Sequence, residues 1–100
     1  MDDPFAIVRD KLPGALSVYV SNWCLDCRRL KKFLAQHDVP HQIVNISDLP
    51  EAAQRLEAGT GKLGVPCVLV RGARWVAGYH RGARGNFDAA RFVRELAEVL

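Results

Sequence analysis

Several features that define other classes of protein are missing from this chain of 100 residues. No run of apolar residues approaches the roughly 20 that a membrane-spanning helix needs, so we expect no membrane segment. The chain opens with acidic residues where an export signal would carry basic ones. Three cysteines are too few for a disulfide scaffold, and their odd number leaves at least one free thiol. We therefore expect a reducing, cytoplasmic compartment.

Repeats, low-complexity tracts and linkers are also missing, which predicts a single domain over residues 1–100 with a helical extension at 1–14. Hydrophobic residues make up 49% of the chain and charged residues 25%, a balance typical of a globular protein rather than a disordered one. The net charge of +3 comes entirely from residues 51–100, which hold eight basic and five acidic side chains.

One stretch of the second half contains basic residues and no acidic one. It would attract an anionic substrate or a nucleic acid, or it is simply a solvated loop. Its members are Arg71, Arg74, His80, Arg81 and Arg84.

Hydrophobic periodicity and glycine and proline punctuation predict a series of short elements. Helices are expected at 4–12, at 24–37, from about 49 to 58 and from 86 or 88 onwards, and strands at 15–20, 41–46, 66–70 and 73–77. The first three strands connect through helices and should pair in parallel, whereas the last two form an antiparallel hairpin. The predicted fold is α/β: a four-stranded mixed sheet in the order β-α-β-α-β-β-α, with helices on both faces.

Boundary residues give these elements specific ends. Asp3 and Pro4 are typical of the N-cap and first residue of a helix. Asp48, with Glu51 three residues later, predicts a capping box for the third helix, and Gly59 is expected to end it. The last helix is expected to be capped by Asn86 or Asp88, and a tight turn at Arg71–Gly72 to join the hairpin strands.

The strongest chemical signal is the motif Trp23-Cys24-Leu25-Asp26-Cys27, where a strand meets a helix. Cys24 is placed at the helix N-terminus, where unpaired N–H groups and the helix dipole favour the thiolate form. Cys27 follows one turn later on the inward stripe of the helix, within reach of a disulfide. We predict that Cys24 is the attacking thiol and Cys27 the resolving one.

Charged neighbours are expected to modulate the ionisation of Cys24. The carboxylate of Asp26 opposes a thiolate beside it, and the guanidinium groups of Arg28 and Arg29 offset that effect. Asp26 is also a candidate base for Cys27.

Other interpretations of the cysteine pair are a zinc knuckle and two inert buried thiols. Structural zinc needs four ligands, normally from a second paired motif, and Cys67 with one of the three histidines supplies only an irregular set. Cys67 itself is predicted to be a buried core thiol, with a third reactive thiol near Cys24 as the alternative. Trp23 either shields the motif and offers an apolar surface to substrates or serves packing alone.

The order of these features resembles the glutaredoxin branch of the thioredoxin fold, over about residues 16–100. The resemblance rests on the W-C-x-x-C motif, on Gly64-Val65-Pro66 before the third strand and on the capped last helix. It implies a cis Val65–Pro66 peptide bond and a Val65 backbone that pairs with a bound peptide or glutathione like an added strand. It also implies a thiol–disulfide oxidoreductase that reduces protein disulfides or glutathione mixed disulfides through Cys24.

The resemblance extends to a glutathione site. Residues 60–66 are similar to the family's T-G-x-x-T-V-P run with Gly64 in place of a threonine, and Lys62 is where a polar side chain holds a glutathione carboxylate. Residues 85–88 are similar to its G-G-x-x-D run, so Asn86 and Asp88 are implied to bind glutathione, Asp88 through the amine. The basic residue that usually precedes the cysteine motif is replaced by Ser21-Asn22.

The electron donor stays open between two sources. Residues 75–80 resemble the W-S-G-F-R segment of glutaredoxin-like redoxins that thioredoxin reductase, rather than glutathione, reduces. Two functions of other classes also remain. One is a carrier in which two chains hold a [2Fe–2S] cluster through Cys24 and glutathione. The other is a nucleic-acid-binding module built on residues 71–84, for which Trp75 and Tyr79 are the aromatic platforms.

Overall fold

A computed structural model of the chain describes residues 3–80 and 87–100. The elements follow the predicted order, with a short 3-10 helix in front and bounds close to those expected. They are the 3-10 helix Ala6–Lys11, β1 Leu16–Val20, α1 Leu25–Gln36, β2 Gln42–Asn45, α2 Pro50–Thr60, β3 Cys67–Val70, β4 Arg74–Ala77 and α3 Ala89–Val99. Within the two described ranges, no helix has the length and apolar character that a membrane crossing requires.

The four strands form one mixed sheet in the order β2-β1-β3-β4. β2 runs parallel to β1, whereas β3 is antiparallel to β1, with Tyr19 opposite Cys67. The prediction that the first three strands are all parallel is therefore wrong for β3. β2 therefore ends, and β3 begins, at the same end of the sheet. The connection through α2 returns to the end that it left instead of crossing to the other one.

Helices cover both faces of the sheet, as predicted. α1 and α3 bury their apolar stripes against one face, where Leu30, Leu34, Phe92 and Leu96 are completely buried. α2 covers the opposite face with a smaller cluster around Leu56. The fold is thus a three-layer α/β arrangement in which both sides of the central strands are dry.

The start of α2 differs from the predicted capping box. Its N-cap is Leu49, no side chain caps it, and Pro50 follows as the first helical residue. Asp48 lies one position too early, because its own N–H closes a turn onto the Asn45 carbonyl at 3.2 Å. The proline signal was right and the aspartate signal was wrong.

The first helix is also shorter than predicted. Its N-cap is Phe5 rather than Asp3. The Asp3 carboxylate accepts a hydrogen bond from the Phe5 N–H at 2.9 Å and pairs with Arg9 at 2.8 Å, so it stabilises the turn just before the helix. These contacts lower the pKa of Asp3, mainly through the hydrogen bond from Arg9.

Two other boundary predictions are confirmed. The Asp88 carboxylate accepts a hydrogen bond from the Arg91 N–H at 3.1 Å and so caps α3. The hairpin turns at Arg71–Gly72, whose φ angles of 54° and 70° are both positive, with the Ala73 N–H donating to the Val70 carbonyl at 3.0 Å. Mirror-image turns of this kind match the twist of antiparallel strands.

Gly59 does not end α2. The helix continues to Thr60, and Gly61, with a φ of 83°, is the C-cap. Gly59 is required instead by a close approach: a Cβ on this residue would lie against the indole nitrogen of Trp75 and 2.9 Å from its Cε2. Trp75 is itself packed edge-on against Tyr19, with ring centroids 4.9 Å apart, so a shift of the indole would disturb that contact.

We expect Gly59→Ala to lower the free energy of unfolding by about 1–3 kcal/mol, measured by urea denaturation, because the new methyl group overpacks the contact with Trp75. In an open helix the same change would raise stability by about 1 kcal/mol. The control is Gly59→Ala in a Trp75→Ala background, where the helix-propensity gain should reappear. A single variant more stable than the wild type would contradict this interpretation.

Candidate redox site

The site is built at the junction of β1 and α1. β1 ends at Val20, three residues turn, and Cys24 becomes the N-cap of α1. Cys24 and Cys27 are joined by a disulfide, with their Cα atoms 5.2 Å apart. The Cys27 N–H donates to the Sγ of Cys24 at 3.1 Å. A sulfur atom at this position receives the unpaired N–H groups of the first helical turn, which stabilise negative charge on it.

The two cysteines differ in access to solvent. Cys27 is 2% exposed and lies on the inward face of α1 with Leu30 and Leu34. Cys24 is half-buried at the tip of the helix. Cys24 is therefore the more accessible of the two cysteines, which is what the predicted attacking and resolving roles require.

The turn before Cys24 is held by polar side chains that the sequence analysis did not single out. The Asn45 amide donates to the Asn22 side-chain oxygen at 2.9 Å, and the Asn22 N–H donates to the Ser47 hydroxyl at 3.1 Å. These bonds tie the turn to the end of β2. The available signal was that polar residues follow two neighbouring parallel strands at the same end of the sheet.

Trp23 projects fully from this turn. It adopts a left-handed φ of 63°, and it is 94% exposed. The alternative in which Trp23 serves packing alone is therefore wrong. The indole stands next to Cys24 as a free apolar surface.

Val65 and Pro66 lie next to the predicted attacking cysteine. The Val65–Pro66 peptide bond is cis, as the resemblance implied. The Val65 carbonyl oxygen is 4.0 Å from the Sγ of Cys24. The antiparallel register of β1 and β3 produces this neighbourhood, since it brings the residues before Cys67 to the end of the sheet where α1 begins.

The charged residues of the motif are partly neutralised by one another. Asp26 forms an ion pair with Arg29, so its carboxylate is compensated next to Cys24. The exposed Arg28 lines a groove of about 210 Å³ that both cysteines and Lys31 also line. These contacts favour the expectation that the arginines offset the effect of Asp26 on the thiolate.

A second cleft, of about 270 Å³, opens beside Val65. Lys62, Gly64, Trp75 and Tyr79 are among its lining residues. The Lys62 ammonium lies over the Tyr79 ring, 5.7 Å from its centroid. The sequence analysis placed Lys62 at the site but did not assign Tyr79 to it, although the glycine at position 64 was a signal that another side chain takes its space.

The N-terminus of α3 is already engaged by protein groups. The Asp88 N–H donates to His80 Nδ1 at 3.1 Å, and one oxygen of its carboxylate caps the helix. His80 is 4% exposed, and its Nε2 lies 3.7 Å from Oε1 of Glu95. Asn86, the other residue assigned to this end of the glutathione site, falls outside the described residues, as do Arg81 and Arg84.

Cys67 is the free thiol, and it is buried as predicted, with 6% of its surface exposed. Its Sγ donates to the Val76 carbonyl at 3.5 Å. Burial raises the pKa of Cys67 to about 11, which keeps the thiol protonated and unreactive at neutral pH. Across residues 3–80 and 87–100, no three His, Cys, Asp or Glu side chains are grouped to hold a metal ion.

The nucleic-acid hypothesis loses its aromatic platforms. Trp75 packs against Tyr19, and Tyr79 packs against Gly64 and under Lys62. Both rings already have protein contacts, so neither stands out as the open stacking platform that single-strand binding uses.

Comparison with known proteins gives the same assignment as the geometry. The family model described as Glutaredoxin matches residues 16–75, which include the cysteine pair, the Val65–Pro66 bond and three and a half strands of the sheet. The chain belongs to the glutaredoxin family. It is therefore a glutaredoxin-type redox protein whose Cys24 and Cys27 form the redox pair.

Individual relatives are distant. The chain is 32% identical over 41 residues to the glutaredoxin-like protein NrdH of Lactococcus lactis subsp. cremoris strain MG1363, a match that covers 41% of this chain and 57% of that protein. Among solved structures, it resembles the glutaredoxin grx-1 of Archaeoglobus fulgidus with a TM-score of 0.62 at 22% identity, covering 84% of this chain and 87% of that one.

The thioredoxin-like protein BC3987 has a similar structure. The TM-score is 0.60 at 22% identity, over 85% of this chain and 99% of that one. At such identities the likeness establishes the thioredoxin-like fold.

The raised pKa of Cys67 predicts a pH dependence of stability. An unfolded Cys67 ionises near its usual value of 9.0 and the folded one near 11, so the unfolded state loses the proton first as the pH rises. The contribution of this thiol is thus fully present below about pH 9 and is lost between about pH 9 and 11, by about 2–3 kcal/mol at most.

The measurement is the difference in unfolding free energy between the oxidised wild type and oxidised Cys67→Ala at several pH values. Oxidation removes the titration of Cys24 and Cys27 from both proteins. The wild type should lose stability relative to the variant as the pH rises above about 9. A difference that does not change with pH would show that Cys67 is not held protonated by burial.

Proposed function

We propose that this protein reduces protein disulfides through a dithiol mechanism with Cys24 as nucleophile and Cys27 as resolving thiol. The observation that carries the proposal is the asymmetric pair at the N-terminus of α1, with the half-buried Cys24 beside the backbone of Val65 and Cys27 almost completely buried. Cys24, the more accessible cysteine, meets the substrate. Cys27, the buried one, is protected until the first exchange is complete.

The reaction balances as two exchanges. The Cys24 thiolate attacks one sulfur of the substrate disulfide, and the other substrate sulfur leaves as a thiolate. Cys27 then loses its proton and attacks the Cys24 sulfur, which releases the second substrate thiolate and forms the Cys24–Cys27 disulfide. Two electrons pass to the substrate in total. The Cys27 N–H, which points at the Cys24 sulfur, favours the thiolate form of Cys24.

The surroundings of Cys24 support a protein or peptide as substrate. The Val65 carbonyl oxygen lies 4.0 Å from the Cys24 sulfur, which supports pairing of Val65 with a substrate backbone as an added strand. The exposed indole of Trp23, the residue before Cys24, offers apolar contact as well. A small disulfide without a peptide chain would use neither group fully.

We infer that the electrons come from a flavoprotein of the thioredoxin reductase type rather than from glutathione. Bound glutathione would need the N–H groups at the start of α3 for its γ-glutamyl carboxylate, and the Asp88 N–H already donates to the buried His80. Ser21 supplies no positive charge before the motif. Lys62, Val65 and Pro66 remain compatible with glutathione, so the tripeptide is the second candidate donor.

A [2Fe–2S] cluster shared between two chains is less well supported. Cys24 is exposed enough to act as a ligand, but such a cluster also needs one glutathione per chain. It therefore depends on the same occupied N–H group of Asp88.

The test is NADPH consumption with insulin as disulfide substrate, either with thioredoxin reductase or with glutathione and glutathione reductase. We expect the rate with thioredoxin reductase to be at least about tenfold higher. Cys24→Ser should abolish it because the nucleophile is lost, whereas Cys67→Ala, the matched cysteine control, should retain it.

His80→Ala should raise the glutathione-dependent rate, since it releases the Asp88 N–H. A wild type that uses glutathione faster than thioredoxin reductase would overturn the choice of donor. Turnover that survives Cys24→Ser would overturn the assignment of the nucleophile.

A further inference from the structure

Tyr79 occupies the space of a side chain at position 64. A Cβ built on Gly64 would lie 2.5 Å from the Tyr79 hydroxyl oxygen and 3.2 Å from Cζ of the ring. No residue other than glycine fits at position 64 while Tyr79 keeps this position. The tyrosine hydroxyl therefore stands where the side chain before Val65 would otherwise be.

The backbone around Tyr79 is fixed to the segment that it touches. The Gly78 N–H donates to the Pro66 carbonyl at 2.9 Å. A Cβ on Gly78 would lie 2.6 Å from Leu30 Cδ2 and 3.1 Å from Pro66 Cγ, so this residue is pressed against the end of the sheet. The position of Tyr79 relative to residues 64–66 is thus set by backbone contacts as well as by its own ring.

The Tyr79 hydroxyl is available for a ligand. Within residues 3–80 and 87–100, no side-chain hydrogen bond of this hydroxyl is found. Tyr79 is half-buried and lines the 270 Å³ cleft together with Gly64, the residue before Val65, and the Lys62 ammonium lies over its ring. A phenol in this state is a rigid donor at the edge where we place the substrate strand.

We propose that Tyr79 is a specificity-determining residue that donates its hydroxyl hydrogen to a backbone carbonyl of a disulfide-containing peptide lying along Val65. The proposal rests on the proposed function and names its substrate class: disulfides carried on a peptide chain, as opposed to small disulfides without amide groups. Cys24 performs the exchange on either class, and Tyr79 favours the first.

The experiment uses pre-reduced protein in a single turnover, so that no reductase is involved. Release of substrate thiol is followed for two probes: the disulfide of N-acetyl-alanyl-cysteinyl-alaninamide, an uncharged peptide, and 2-hydroxyethyl disulfide. We expect Tyr79→Phe to lower the ratio of the peptide rate to the hydroxyethyl rate about fivefold, as the loss of one neutral hydrogen bond predicts.

The matched control is Tyr19→Phe, which removes the other tyrosine hydroxyl, 3.3 Å from Arg55 and away from the cysteine pair. It should leave the ratio unchanged. If Tyr79→Phe also leaves the ratio unchanged, or slows both probes equally, the hydroxyl has no selective role and the inference is overturned. A wild type that reduces neither probe refutes the proposed function instead.

A second comparison tests directly whether the Tyr79 hydroxyl and a side chain at position 64 occupy the same space. Gly64→Thr should be poorly tolerated alone, but in a Tyr79→Ala background the threonine has room and places a hydroxyl near the same point. We expect this double variant to regain at least half of the peptide preference that Tyr79→Ala loses. If the double variant has the same ratio of peptide rate to hydroxyethyl rate as Tyr79→Ala, the claim that the two side chains occupy the same space is overturned.

Discussion

The antiparallel pairing of β1 with β3 is the constraint on which the redox site depends. β1 must end where α1 begins, so that Cys24 meets the unpaired N–H groups of the first helical turn. β3 must begin at the same end, with Cys67 opposite Tyr19, to place Val65 within 4.0 Å of the Cys24 sulfur. The nucleophile and the backbone edge that receives its substrate thus come from two strands hydrogen-bonded side by side.

Close contacts at three glycines hold the β3–β4 hairpin and the residues after it against neighbouring elements. Trp75 lies against Gly59 of α2, Tyr79 lies against Gly64, and Gly78 itself lies against Pro66 and Leu30 of α1. The contacts at Gly64 and Gly78 join the region after β4 to the segment beside the cysteine pair, and the contact at Gly59 joins β4 to the helix on the opposite face. In a protein this small, the absence of a side chain lets neighbouring elements approach closely enough to hold the site without further layers.

Local signals in the sequence predicted the elements and the cysteine chemistry, because helix periodicity and the motif around Cys24 depend on residues close together in the chain. The direction of β3 depends on how α2 returns, which no local pattern records. Gly59 was misread because a glycine needed for close approach looks the same as one needed for a positive φ, the role that belongs to Gly61. Tyr79 was not assigned to the redox site for a related reason. Its hydroxyl occupies the space that a side chain at position 64 would take, and a glycine in the sequence does not show which residue fills that space.

The most direct test of the account is to trap the first exchange in Cys27→Ser protein, which lacks the resolving thiol. After incubation with a disulfide peptide, intact-mass measurement and peptide mapping should find one peptide per chain, attached to Cys24, with Cys67 unmodified. Attachment to Cys67, or equally fast attachment to Cys27 in a Cys24→Ser protein, would contradict the assignment of Cys24 as the attacking thiol and Cys27 as the resolving one.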